Sequence, residues 1–234
     1  MQLDKYLLIS THFQHMLFVN FKTYEEATGE RAVDLTRVLE DVAIATQTKV
    51  IPVVQASDVK EIVGITKLEV WSQHVDPINY GAHTGAIIPQ AVFEDGAVGT
   101  FLNHSEHKFK KFDDLKLANQ MAMDTGLRTL IFAADPAELK RILPLKPTYV
   151  AYEPPELVGS NTTSVARAKP EVIEEAVGVA KNAGLPLIVG AGIKSEEDVR
   201  KSMELGAVGV AVASNIVKSE DPKKAVMELI KGFE

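Results

Sequence analysis

Five short stretches of the 234-residue chain combine reactive side chains, or very small ones, with the ends of apolar runs. Asn20-Phe21-Lys22 sets an amide and an ammonium two residues apart. In an extended strand such residues share a face, so Asn20 and Lys22 point one way and Phe21 the other. Together they could hold an oxyanion or a phosphate, although a Lys ending a strand also serves as a solvated rim charge. Asn103-His104-Ser105-Glu106 brings an imidazole, able to polarise a carbonyl or shuttle protons, beside a carboxylate able to orient Lys22. The plain alternative is a loop histidine with no chemical duty. Tyr152-Glu153-Pro154-Pro155 ends an apolar run in a carboxylate. Burying it unpaired is costly, so Glu153 belongs at a pocket mouth. Apolar walls there would raise its pKa and suit it to take a proton from carbon. Residues 156–165, rich in Ser, Thr, Asn and Gly behind two prolines, have the composition of a lid as well as of a plain connection. Gly190-Ala191-Gly192-Ile193 and Ala213-Ser214-Asn215 offer side chains small enough for backbone N–H groups to approach a phosphate. They would equally make simple tight turns.

Elements must bring these stretches to one place. From residue 17 onward, short Val/Ile-rich runs alternate with amphipathic segments, predicting strands over 17–21, 50–54, 69–73, 98–103, 129–133, 149–152, 187–189 and 208–212. Most lack strict polar alternation, as expected of strands buried on both faces of a parallel sheet. Between them, Val172, Ile173, Ala176, Val177 and Ala180 recur on one helical face, with Pro170 suited to the first helical position. Ser195 and Asp198 form a capping-box pattern ahead of another helix, and Asp221-Pro222 opens the last. The class is therefore α/β, either a closed (β/α)8 barrel of eight parallel strands with outer helices or a doubly wound open sheet. No linker or composition shift divides residues 16–234, so one domain is expected there. In a barrel the chemistry sits at the C-terminal ends of the strands, where these stretches fall.

Bulk properties narrow the function. Apolar residues make up 46% of the chain and charged ones 24%, both ordinary for a globular enzyme. A net charge of −7 argues against a nucleic-acid partner but leaves room for a locally positive site that takes an anionic substrate. Zero cysteines exclude disulfides, Cys-ligated metals and Cys nucleophiles, and are compatible with a cytoplasmic location. No apolar run approaches the ~20 residues of a membrane span, so no membrane partner is expected. Residues 1–15 surround a short apolar stretch, Tyr6 to Ile9, with Lys5, His12 and His15. That stretch is shorter than the core of an export signal, and the segment reads as an extension outside the barrel, with Met16 its candidate start.

With these residues set out, the chain after Met16 resembles the triosephosphate isomerase family along nearly its whole length. The likeness rests on Asn20-Phe21-Lys22, Gly81-Ala82-His83-Thr84-Gly85, Asn103-His104-Ser105-Glu106, Tyr152-Glu153-Pro154 and the two small-residue turns, in matching order and spacing. The compact length and the stretch Glu153-Pro154-Pro155-Glu156-Leu157-Val158-Gly159 look like the archaeal-type branch. The family is itself a familiar illustration of a tuned carboxylate–imidazole pair and of lid closure.

The resemblance implies a (β/α)8 barrel that interconverts dihydroxyacetone phosphate and glyceraldehyde 3-phosphate by proton transfer, in glycolysis and gluconeogenesis. Glu153 would be the base. His104, as neutral imidazole, would polarise the carbonyl, and Lys22 would stabilise the enediolate while Asn20 helps place the substrate. Val158 and Gly159 of the lid, with Gly192, Ala213 and Ser214, would bind the phosphate through backbone N–H groups. No metal and no organic cofactor is implied. Thr84 would lie on a loop, 80–87, that packs against a second subunit, giving a dimer, or a tetramer as in the archaeal-type branch. Three departures concern the lid and phosphate turn: Pro155-Glu156 stands where the family often carries an aromatic residue, Ser160-Asn161-Thr162 lacks a frequent second glycine, and residue 191 is Ala.

Several residues are left out of the site. His74, near Asp76, lacks further ligands at metal-binding spacing. Trp71 reads as packed in the sheet or at an interface, and Lys108, Lys110 and Lys111 as a solvated basic run. Two rival functions remain at this stage: another phosphate-binding barrel, for indole or thiazole phosphates, and a non-catalytic scaffold. The first would share the turns at 190–193 and 213–215 without requiring Asn20, Lys22, His104 and Glu153 together.

Overall fold

The computed structural model describes residues 15–153 and 170–234. Eight parallel strands close into a barrel in chain order. They are β1 (Met16–Asn20), β2 (Lys49–Val54), β3 (Trp71–Ser72), β4 (Gly99–Leu102), β5 (Arg128–Ala133), β6 (Tyr149–Tyr152), β7 (Leu187–Val189) and β8 (Gly209–Val212). The ring is completed by β1 against β8, with Met16 opposite Gly209 and Val19 opposite Val212. Of the two arrangements open to the alternating pattern, the closed barrel is the one formed.

Helices follow the strands: α1 (Glu30–Thr46), α2 (Val59–Ile65), α3 (Pro89–Glu94), α4 (Phe112–Thr125), α5 (Pro136–Ile142), α6 (Pro170–Asn182), α7 (Glu196–Glu204), α8 (Ser214–Val217) and α9 (Pro222–Ile230). Three of them start at side chains that satisfy otherwise orphaned N–H groups. Ser195 and Asp198 complete the capping box of α7, Asp135 accepts from the N–H of Glu138 in α5, and Asp221 accepts from Lys224 in α9. On α6, Ile173, Ala176 and Ala180 of the expected apolar face are buried.

Strand residues alternate between two cores, because successive side chains leave opposite faces of a strand. Leu17, Val19, Val54, Leu102, Ile131, Val150, Val189 and Val210 belong to the outer core shared with the helices. Phe18, Ile51, Val53, Trp71, Phe101, Leu130, Phe132, Ala151, Ile188 and Ala211 fill the barrel itself. Trp71 is thus an interior packing residue, its ring 5.1 Å from that of Phe18. The ring needs a glycine opposite: a Cβ on Gly99 would lie 2.5 Å from it. At the foot of the barrel Glu69 joins Lys49 (2.9 Å) and Arg128 (2.6 Å).

Two strands end earlier than their apolar patterns suggest. β3 is confined to Trp71–Ser72, and β4 stops at Leu102 because Asn103 turns into the left-handed region at φ 60°. Lys22, just beyond β1, makes the same turn at φ 48°. Few side chains tolerate that conformation, and here both residues stand at the barrel mouth.

Candidate active site

A cavity of about 340 Å³ opens at the C-terminal end of the strands, lined by Asn20, Lys22, His104, Glu106, Glu153, the 190–194 turn and the 213–215 turn. The inward-facing parity of each strand carries these side chains there: Ala151 leads to Glu153, Phe18 to Asn20 and Ala211 to Ala213. Phe21 packs in the outer core, as its alternation with Asn20 and Lys22 requires.

Lys22 is fixed from three sides. Its N–H donates to Asn20 Oδ1 (3.0 Å), its carbonyl accepts from Gln73 Nε2 (2.8 Å), and its Nζ donates to Glu106 Oε1 (2.7 Å). The first two bonds hold the left-handed turn, and the third aims the ammonium across the pocket. Gln73 escaped the sequence reading because its role is to hold a backbone carbonyl 51 positions away.

His104 follows the turn at Asn103. The N–H of Glu106 donates to His104 Nδ1 at 3.2 Å, which makes Nδ1 an acceptor and leaves the proton on Nε2. Nε2 faces Glu153 Oε1 across 3.7 Å. Burial lowers the imidazole pKa to about 4; Glu106 pulls the other way and the Lys22 charge adds to the fall. The ring is therefore neutral at physiological pH, a hydrogen-bond donor through Nε2.

Glu153 is anchored to the end of β5, its N–H donating to the Ala133 carbonyl at 2.9 Å. The residue is only 6% exposed, and burial pushes its pKa up to about 7. Neither Ser105 Oγ nor Glu153 Oε2 completes a well-formed hydrogen bond among the described residues, and Ser105 and the Lys22 charge oppose the rise only in part. A carboxylate poised near neutrality beside a neutral imidazole is an arrangement suited to moving protons.

The two small-residue turns meet on the far side. Gly190 N–H donates to Tyr152 O (3.0 Å), Gly192 has φ 71°, and Asn215 Nδ2 donates to Lys194 O (3.2 Å), tying one turn to the other. Gly192, Ala213 and Ser214 therefore face the same cavity as the three reactive side chains. Val158 and Gly159, and the whole 156–165 segment, lie outside the described residues.

A second network holds the loop that bears His104. Asn103 Nδ2 donates to Phe132 O (2.9 Å) and to Glu138 Oε1 (2.9 Å), and its Oδ1 accepts from Phe109 N–H (3.3 Å). Glu138 also accepts from Lys108 Nζ (2.7 Å) and from Ala134 N–H (2.7 Å). Lys108 is thus engaged with Glu138. Glu138 went unremarked in the sequence, since nothing in its own helix signals a partner just beyond β4.

His74 stacks on His107, with ring centroids 4.1 Å apart, and its Nε2 lies 3.3 Å from Asp76 Oδ1. Among the described residues, no group of three or more His, Asp or Glu is placed to hold a metal ion. Among the same residues, no helix is long and apolar enough to cross a membrane.

Fold and pocket together define a (β/α)8-barrel enzyme built for proton transfer on a small anionic substrate. The chain belongs to the triosephosphate isomerase family, whose model matches residues 15–232. Curated triosephosphate isomerases from archaea are similar over most of their length. That of Metallosphaera sedula is 40% identical over 219 residues, covering 93% of this chain and 95% of the relative. That of Sulfurisphaera tokodaii is 41% identical over 217 residues, covering 92% and 93%. The Methanopyrus kandleri protein is 42% identical over 223 residues, covering 93% and 97%.

Proposed function

We propose that Glu153, His104 and Lys22 carry out the family's reaction in this chain, interconverting dihydroxyacetone phosphate and D-glyceraldehyde 3-phosphate through an enediolate. The single observation that carries the assignment is the facing pair Glu153 Oε1 and His104 Nε2, 3.7 Å apart at the edge of one cavity with Lys22. Glu153 takes the proton from the carbon beside the substrate carbonyl. His104 Nε2–H donates to the carbonyl oxygen as negative charge gathers there, and the Lys22 ammonium stabilises that charge. Glu153, now protonated, returns the proton to the neighbouring carbon while His104 passes the hydroxyl proton from one substrate oxygen to the other, so no net proton is lost and no cofactor takes part. Asn20 holds the Lys22 backbone and helps place the substrate.

The phosphate is assigned to the backbone of Gly192, Ala213 and Ser214, with Val158 and Gly159 closing over it from the lid. Closure would exclude water from the enediolate and strengthen each electrostatic contact. The barrel domain is taken as residues 16–234 with 1–15 as an extension, in keeping with the matched span of 15–232. Self-association, as a dimer or tetramer, is assigned to the 80–87 loop, where Tyr80 is 66% exposed. A cytoplasmic location fits a glycolytic role.

The test is isomerisation of glyceraldehyde 3-phosphate by the purified protein and by Glu153→Asp. Withdrawing the carboxylate by one methylene displaces it by about 1 Å, which can cost ~100-fold in kcat. Equal activity in both proteins would remove Glu153 from the mechanism, and no activity in either would reopen the other phosphate-binding barrels.

A further inference from the structure

We propose that the ring of Phe132 is the dry floor of the pocket and acts as a positioning residue, keeping water from beneath Glu153 and His104. This rests on the reading of Glu153 as the base. Phe132 is 2% exposed and lies inward on β5, one layer below the reactive groups. Its ring meets that of His104 edge to face, with centroids 4.9 Å apart and planes at 77°. It is buttressed from below by Phe101 at the same centroid distance, 4.9 Å. On its other side it reaches towards Glu153: a Cβ placed on Gly190 would lie 3.3 Å from Phe132 Cε1 and 3.4 Å from Glu153 Cβ.

The neighbours of the ring are small where it spreads. Ala151 stands opposite Phe132 in the β5–β6 register and lies two residues before Glu153. Ala211 of β8 and Gly190 after β7 line the same cavity. One large ring therefore fills space that three small residues leave open, and it is the apolar surface shared by both proton-handling groups. A smaller or polar side chain would leave a void continuous with the pocket and bordered by a carboxylate, which water would enter. Water there would solvate the ionised carboxylate and the protonated imidazole, the two forms that burial now disfavours. Burial is the largest cause of the rise of Glu153 to about 7 and of the fall of His104 to about 4. Phe132 also ties the His104 loop through its carbonyl, but that bond is made by the backbone and survives substitution.

The experiment compares Phe132→Val and Phe132→Ser with the unaltered protein. Each is labelled with 13C at the glutamate carboxyl, and the Glu153 signal is identified by its loss in Glu153→Gln. The midpoint of Glu153 should fall by roughly one pH unit in Phe132→Ser and by less in Phe132→Val, as expected for partial relief of desolvation. In kcat/KM the acid limb should follow. At pH 6 the rate relative to its own plateau should rise about fivefold in the Ser variant, because the ionised fraction of Glu153 goes from about one tenth to about one half. The Val variant, which keeps a strand-forming apolar residue, decides the matter if the Ser variant does not fold. A merely structural role for the ring would lower thermal stability and leave both the carboxyl midpoint and the acid limb in place. That result would overturn the proposal. Failure of the reading beneath it is seen separately: full activity in Glu153→Gln would displace the base, while the carboxyl titration would still report whether the ring dries the floor.

Discussion

Replacing Glu153 with Gln should make the protein more stable at alkaline pH while removing its activity. The carboxyl moves from an ordinary value of 4.5 to about 7 on folding, and its side chain is almost wholly enclosed. A raised carboxyl pKa means that the folded state prefers the protonated form. Between these two values the folded chain binds more protons than the unfolded one, so stability falls as pH rises. The contribution is fully present below about 4.5 and is lost as pH passes about 7. At ~1.4 kcal/mol for each pH unit, the whole loss is roughly 3 kcal/mol.

Glutamine has nearly the same shape and no charge to bury, so it escapes this cost. Urea unfolding of the two proteins at equal concentration should place the variant less than about 1 kcal/mol above the unaltered protein at pH 5, widening to roughly 3 kcal/mol at pH 8. Equal concentration matters because self-association adds its own stability. His104 runs in the opposite sense: its lowered pKa contributes stability present above 6.5 and lost as pH falls through about 4. It is present in both proteins and drops out of the difference. A gap that stays constant between pH 5 and pH 8 would refute the argument that Glu153 is held in a desolvated, proton-favouring site.

Two further substitutions test the scaffold around the site. Glu138→Ala removes the carboxylate that joins Asn103, Lys108 and Ala134, and so loosens the loop bearing His104. Steady-state kinetics should show kcat down roughly ten- to a hundredfold with KM little changed, since misplacement by about 1 Å acts on the chemical step; an equal rise in KM alone would assign Glu138 to binding instead. Gly99→Ala forces a methyl group to within 2.5 Å of the Trp71 ring. Thermal and urea unfolding should show a loss of about 1–3 kcal/mol or more from overpacking, with the pH–rate profile unchanged because the clash lies below the pocket.

The fold was legible in the chain because parallel strands buried on both faces announce themselves as Val/Ile runs. Strand ends were less so: 69–73 promised a longer β3 than Trp71–Ser72, since Glu69 sits at the foot of the barrel engaged with Lys49 and Arg128. The reactive groups could be named because each stands at a strand end with a short, ordered motif. The Lys22–Glu106 contact was foreseeable in the same way, from an ammonium and a carboxylate at neighbouring mouths. Gln73 and Glu138 were not, because each acts on the backbone or amide of a residue just beyond a distant strand, and nothing local in the sequence encodes such a partner.

The same limit applies to reactivity itself. A sequence can supply a glutamate and a histidine, but whether they sit near pH 7 and pH 4 depends on what lies beneath them. Here that is set by sizes on three strands and a turn at once: a phenyl ring on β5, two alanines on β6 and β8, and a glycine in the turn after β7. None of the four is remarkable in its own strand, where Phe132 reads as one more core residue. Their effect comes from register, which places Phe132 opposite Ala151 and thereby one layer under Glu153. Chemistry at this site is therefore written twice, in motifs that name the groups and in a pattern of volumes that sets their strength. Only closure of the barrel brings the second pattern together.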